Sequence, residues 1–405
     1  MSWIPTLEEQ IAMAIADGNL SESAVLDVKA AIGDSNSARR ETAKDIASFA
    51  INGGALLVGV GETEDGRRLQ LTPIPLTNAI ERIEQIAATR VDPPVHIRLH
   101  EIPTADDPNL GYIWVEIPPS GFAPHMVDGI YYARGERTTR RLSDAEVDLL
   151  HQRRHRVHDV AERLLDEEIR RDPIPESKRE NGHLYLIAEP LTAPRDLARD
   201  LARSSTNTNF HQLVNAAESL LPADLRRWAP RPGSAFNYTN RSSGAALTTF
   251  LEGIRGPSPA GGEARMLDIE LHENGGLRLL CGRLTTSDDA TGTKNVLDSL
   301  AAAYALRLVR WAVLTSTQTG YRGSWAFGMA GNGLRGARAP HDDFLGVVPN
   351  AYDVDDYRQT TIAHRVELED ASESVAERLI GPLLRGLDVA DVHRSALRSA
   401  RESRL

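Results

Sequence analysis

Cysteine is almost absent: Cys281 stands alone among 405 residues. One thiol cannot make an internal disulfide, and its place in the strand-like run LRLLCGRL suits a small buried residue. Long apolar runs are missing too, and none approaches the roughly 20 residues a membrane-spanning helix needs. The opening MSWIPTLEEQ lacks a basic stretch followed by an apolar one, so the expectation is a cytoplasmic protein with no membrane partner. No GxxxxGK followed by Ser or Thr occurs. Gly53-Gly54 and Gly59-x-Gly61 lack the lysine and hydroxyl that hold phosphates and magnesium, which argues against ATP hydrolysis. An excess of positive charge is also lacking. The formal net charge is −11; residues 1–150 hold 13 Lys and Arg against 23 Asp and Glu, and the remainder 33 against 34. A protein that coats nucleic acid with its whole surface is thereby excluded, and any nucleic-acid contact must be local.

What is present is an ordinary soluble composition, 41% hydrophobic and 25% charged, in a chain long enough for two domains. Leu7, Ile11 and Ile15 predict a first helix over 6–17, with Thr6 and Glu9 as a capping box. Residues 24–29 alternate as a strand, with Leu26 and Val28 on one face and Asp27 and Lys29 on the other, roughly 7 Å apart. Residues 38–49 predict a helix, closed by Asn52-Gly53-Gly54. The run over 55–60 is apolar on both faces, as in a strand covered on both sides, and it delivers Glu62 to the surface. A helix over 76–90 and strands over 95–100, 112–117 and 130–134 follow, and Ser143 and Glu146 form another capping box. This order predicts an α+β domain over 1–150 with a mixed sheet, then a charged helix and linker over 151–180.

Residues 181–405 predict a second α+β domain of unknown type. Its signals are a strand near His183, helices over 194–203 and 209–220, and strands flanking ENGG. A long helix over 295–315, strands over 324–329 and 359–368, and a last helix over 374–385 complete it. The Pro-, Gly- and Ser-rich interval 230–262 is expected to be a surface excursion.

Acids gather at both ends of the segment from Ser21 to Gly66: Glu22 and Asp27 at one, Glu62, Glu64 and Asp65 at the other. Glu22, Asp27 and Glu62 form a candidate catalytic set. Phosphodiester cleavage uses a cation to stabilise charge on the scissile phosphate, and carboxylates are suitable hard ligands for Mg or Mn. Lys29 could hold a phosphate as a point charge. The alternative is that Asp27 and Lys29 form a surface ion pair while Glu22 and Glu62 are solvated loop acids. Arg134, Arg137, Arg140 and Arg141 follow Tyr131 and Tyr132; their forked donors suit phosphate, and Tyr132 could stack on a base. A solvated loop is the competing reading. His151, His155 and His158 share one helical face, but interleaved arginines favour a solvated basic helix over a zinc site. GMAGNGLRGAR over 328–338 is expected to be a turn rather than an anion-binding loop.

Four motifs in order give residues 1–150 a likeness to a known family. They are Glu22 with Asp27-Val28-Lys29, ASFAINGG over 47–54, GVGE over 59–62, and IYYARGERTTRR over 130–141. In this order they resemble the Schlafen AlbA_2 domain. The resemblance implies a nucleic-acid-acting domain and, in some members, a divalent-metal endoribonuclease using three carboxylates, here Glu22, Asp27 and Glu62. RNA, tRNA among the candidates, is the implied substrate. Where the family's nucleases usually carry Glu and Asp, this chain has Asp27 and Glu62, each swap changing reach by one methylene. Members with two such lobes form a clamp, so a homodimer would supply the second lobe here, and a role in phage defence is among the implied settings. A non-catalytic nucleic-acid-binding module is the alternative.

Overall fold

The structure is a computed structural model. It describes residues 3–63, 68–191, 193–203, 208–219, 221, 225, 237–256, 259–287, 292–340 and 350–393, without the side chains of 155–158, 208 and 219. The fold is α+β in class, with helices and several sheets. The chain divides into two compact units, Met1–His155 and Arg156–Leu405, so the segment 156–180 falls within the second unit.

The first unit is built on a five-stranded mixed sheet. Strand β1 (Leu26–Lys29) pairs parallel with β2 (Gly54–Val58), whose other side pairs antiparallel with β7 (Leu110–Ile117). Strands β5 (Ile74–Pro75) and β6 (Arg98–Pro103) also pair with β7. The strand period of two divides the side chains between two apolar layers. Leu56, Val58, Val115 and Ile117 pack with Ile46, Phe49, Ile83 and Ile86 from helices α2 (Asn36–Phe49) and α3 (Ala79–Thr89). Leu26, Leu57, Tyr112 and Trp114 pack on the other side with Ile11 of helix α1 (Glu8–Ala16) and with Leu20. The expectation of a strand covered on both faces therefore holds for β2.

Local chemistry sets the ends of these elements. Ser35 caps α2 by accepting the Ala38 N–H at 3.1 Å. The first helix starts later than expected, at Glu8, and Gln10 takes the role assigned to Glu9: its Oε1 accepts the Thr6 N–H at 2.7 Å. Gly59 has φ +98°, a conformation other residues rarely adopt, and here the chain leaves the main sheet. What was expected as one strand is thus two: β3 (Val60–Glu62) continues instead as a hairpin with β4 (Leu69–Leu71). A three-stranded sheet of β8 (Met126–Val127), β9 (Ile130–Arg134) and β10 (Thr139–Arg141) follows. Helix α4 (Asp144–Arg170) opens with the expected box, Ser143 N–H donating to Glu146 Oε2 at 2.9 Å.

The second unit holds a seven-stranded antiparallel sheet. In spatial order it comprises β12 (Asn237–Arg241), β13 (Gly244–Thr248), β14 (Leu267–His272), β15 (Leu277–Cys281), β11 (Leu184–Pro190), β18 (Ser324–Gly331) and β19 (Tyr357–His364). A separate hairpin pairs β16 (Thr285–Ser287) with β17 (Lys294–Val296). One face of the large sheet packs on α5 (Arg199–Ala202), α6 (Thr208–Ser219) and the buried α7 (Asp298–Thr319). Helix α8 (Arg365–Asp370) and α9 (Ser372–Gly386) close that layer. The 230–262 interval departs from its expected form: β12 and β13 lie in it, and every residue of β13 is buried. The segment 359–368 also departs, because β19 ends at His364 and α8 begins at Arg365.

Candidate nucleic-acid interface

Two of the three candidate acids, Glu22 and Glu62, face one cleft of the first unit. Glu22 sits in the segment joining α1 to β1; Glu62 ends β3; Arg137 projects from the β9–β10 turn, which the Gly135 N–H closes on the Thr138 carbonyl at 2.7 Å. Together with Arg68, which immediately precedes β4, these three side chains line an open cleft of about 770 Å³. Leu20, Ser21 and Leu69 contribute to the same wall. Glu62 and both arginines are exposed. Glu64, Asp65 and Arg67 lie outside the described residues.

Asp27 lies apart from that lining, in a buried ionic network. Its Oδ1 accepts from Arg134 Nη2 at 2.8 Å, and its Oδ2 faces Lys29 Nζ at 3.1 Å. Lys29 Nζ also meets Asp45 Oδ2 at 2.7 Å, and Thr139 Oγ1 donates to Asp45 Oδ1 at 2.9 Å. The Asp27 and Arg134 side chains are only 7% and 6% exposed, so the pair is buried, unlike the expected surface pair of Asp27 with Lys29. Burial works to raise the Asp27 carboxyl, but the charge of Lys29 and the hydrogen bond from Arg134 outweigh it and hold it below the ordinary aspartate value. Glu22 moves the other way. Burial raises its carboxyl, and the neighbouring Asp27 carboxylate adds to the rise, with Arg134 opposing.

The structure therefore brings the three expected acids only partly together. Glu22 touches Asp27 and shares a cleft with Glu62, yet both Asp27 oxygens already face cations. Among the described residues no three His, Cys, Asp or Glu side chains form a metal-sized group. Asp27 is thus engaged by Arg134 and Lys29, and Glu22 and Glu62 are the two expected acids that face the cleft.

The expected phosphate ligands divide in the same way. Arg137 faces the cleft. Lys29 and Arg134 spend their charge inside the network. Arg140 grips Glu146 through two hydrogen bonds, of 2.9 and 2.6 Å, while Arg141 is exposed on β10. Tyr132, expected as a stacking surface, is only 5% exposed in the core, with Lys44 Nζ 5.4 Å from its ring centre, so it offers no open face. Of the three histidines, His151 makes an edge contact with Tyr131, and the side chains of His155 and His158 lie outside the described residues.

Sequence reasoning missed Asp45, Thr139 and Arg68. Asp45 had a signal: it falls on the buried face of α2 beside Ile46 and Phe49, and an acid there needs a cation. Thr139 carried none. Arg68 is one of two arginines in an otherwise acidic loop after Glu62.

No family model matches the chain, and no curated protein matches it. Among solved structures it is similar to the DIP2311 protein of Corynebacterium diphtheriae, at 17% identity with a TM-score of 0.24. That match covers 56% of this chain and spans 38% of the other, and a likeness this faint carries no argument.

Proposed function

We propose that the N-terminal unit acts on nucleic acid, RNA in preference to DNA, and that the cleft of Glu22, Glu62, Arg68 and Arg137 is where it does so. The observation that carries this reading is the cleft itself. Two arginines from separate turns, without an ion pair among the described residues, flank one opening, and guanidinium groups are suited to phosphate oxygens. The ordered motifs that resemble the Schlafen AlbA_2 domain support the same reading. The net negative charge of residues 1–150 confines binding to this local pair rather than to a broad basic surface.

A second reading, cleavage of the bound RNA, is favoured by the two acids in the same opening. A divalent ion, where bound, supplies charge stabilisation at the phosphate. Glu22 and Glu62 are the residues left to approach it. We also propose a cytoplasmic setting and a homodimer. For the membrane itself, no helix among the described residues is long and apolar enough to cross one.

The test is incubation of the purified chain with total tRNA, with and without Mg or Mn, beside Glu22→Ala and Arg137→Ala. Binding that weakens steeply between about 50 and 200 mM salt, and is reduced in Arg137→Ala, supports the nucleic-acid reading. Discrete fragments that vanish with chelator and in Glu22→Ala support cleavage. Absence of both binding and fragments, with a folded protein, rejects the proposal in favour of a protein-interaction role.

A further inference from the structure

We infer that Asp27 is the hub of a buried charge clamp that fastens strand β1 to helix α2 and strand β9, its carboxylate committed to that clamp rather than open to a ligand. This goes beyond the nucleic-acid reading and does not depend on it.

The clamp begins with strand geometry. Asp27 and Lys29 are two residues apart on β1 and share a face, turned away from the layer that buries Leu26. That face meets α2, which presents Asp45, and the end of β9, which presents Arg134. Each Asp27 oxygen has its own cation, Arg134 at 2.8 Å and Lys29 at 3.1 Å. Lys29 carries the chain of contacts on to Asp45 at 2.7 Å. Arg134 is held on two further sides. Its guanidinium lies 5.0 Å from the centre of the Phe49 ring, and its Nε donates to the Ser23 carbonyl at 3.4 Å.

Asp27 and Asp45 balance Lys29 and Arg134 in formal charge, and the Glu22 carboxyl stands beside Asp27 at the edge of this set. A divalent cation brought to Asp27 would place two further positive charges beside Lys29 and Arg134, in a space where little solvent reaches to screen them. Binding one would first require a cation to leave. The residues that looked like a ligand and a phosphate contact are instead each other's partners.

The test uses the full chain with Asp27→Asn, Arg134→Gln and the double variant. Backbone hydrogen exchange is followed in 26–29, 36–49 and 130–134, together with the thermal midpoint of the first unit. Each single variant is expected to speed exchange in all three segments and lower that midpoint by roughly 10 °C. The double variant is expected to lose less than the sum, because the second removal strands no buried charge. Mn²⁺ is expected to shift wild type and Asp27→Asn alike. Unchanged exchange in Asp27→Asn, or a Mn²⁺-dependent rise in wild type that disappears in Asp27→Asn but survives in Arg134→Gln, would overturn the clamp. If Asp27→Asn does not fold, Lys29→Met decides: it leaves Asp27 and Asp45 without the cation they share, and unchanged exchange in β1 and α2 rejects the inference.

Discussion

Each unit of this protein buries a cluster of opposite charges, and the two clusters differ in what surrounds them. In the second unit Asp268 and Glu270 of β14, with Glu168 of α4, meet Arg171, Arg241 and Arg255. All three acids are essentially inaccessible, and apolar Leu164, Leu165 and Phe250 belong to the layer packed on the same face of the sheet. In the first unit the clamp at Asp27 neighbours Glu22, and Glu22 faces an open cleft. The second-unit cluster buries its acids under apolar side chains, whereas one that borders a cleft can also fix the residue standing in that cleft. The lesson for reading acids in a motif is to ask which cations the fold places beside them.

Breaking the closed cluster should give the largest effect. Asp268→Ala removes one of the two carboxylates that Arg241 and Arg255 share, leaving Glu270 to face both in a buried setting, and should cost about 3–5 kcal/mol in chemical denaturation of the second unit. A cost near zero would show that solvent or rearranged neighbours replace the lost charge. The clamp should respond next, with a sign set by pH. The folded Asp27 carboxyl lies below its ordinary value of 3.8, so its stabilisation is full above that value and is lost as pH falls through the lower folded one. The stability gap between wild type and Asp27→Asn should therefore narrow on acidification below about pH 4. A gap independent of pH would contradict the charge argument.

At the cleft, stability should be nearly untouched while binding moves. Arg68→Ala and Arg137→Ala should each weaken single-stranded RNA binding by roughly threefold to tenfold and reduce the salt slope by about 0.7. Cys281 should give the smallest signal. Burial pushes its thiol up to about 11, so a thiol reagent at neutral pH should label it only after denaturation. Prompt labelling of the folded chain would mean that the sheet around β15 opens.

Much of the first unit was legible because its signals are local. The double-sided apolar run of β2, the alternation of β1 and the Ser143–Glu146 box each dictate their element through nearest neighbours. Strands β12 and β13 were not legible, since NYTNR and GAALT carry little apolar bulk and sit among turn-forming residues; the pairing of β13 with β14, and of β12 with β13, makes them strands. The site was legible in part. Spacing placed Asp27 and Lys29 on one face, but no spacing reveals that Arg134, 107 residues away, takes the other carboxylate oxygen. Buried rings pose the same difficulty: in sequence Tyr132 looks no different from the half-buried Tyr131 beside it until α2 packs against β9.

The most direct test of the account is fluorescence anisotropy of a labelled single-stranded RNA against wild type, the Arg68→Ala/Arg137→Ala double variant and Lys29→Met. The account predicts that the double variant loses at least tenfold in affinity with its thermal midpoint intact, while Lys29→Met lowers the midpoint and keeps the salt slope of wild type. Equal affinity in wild type and the double variant, or a salt slope that falls with Lys29→Met instead, would contradict it, placing the phosphate contacts at the clamp rather than at the cleft.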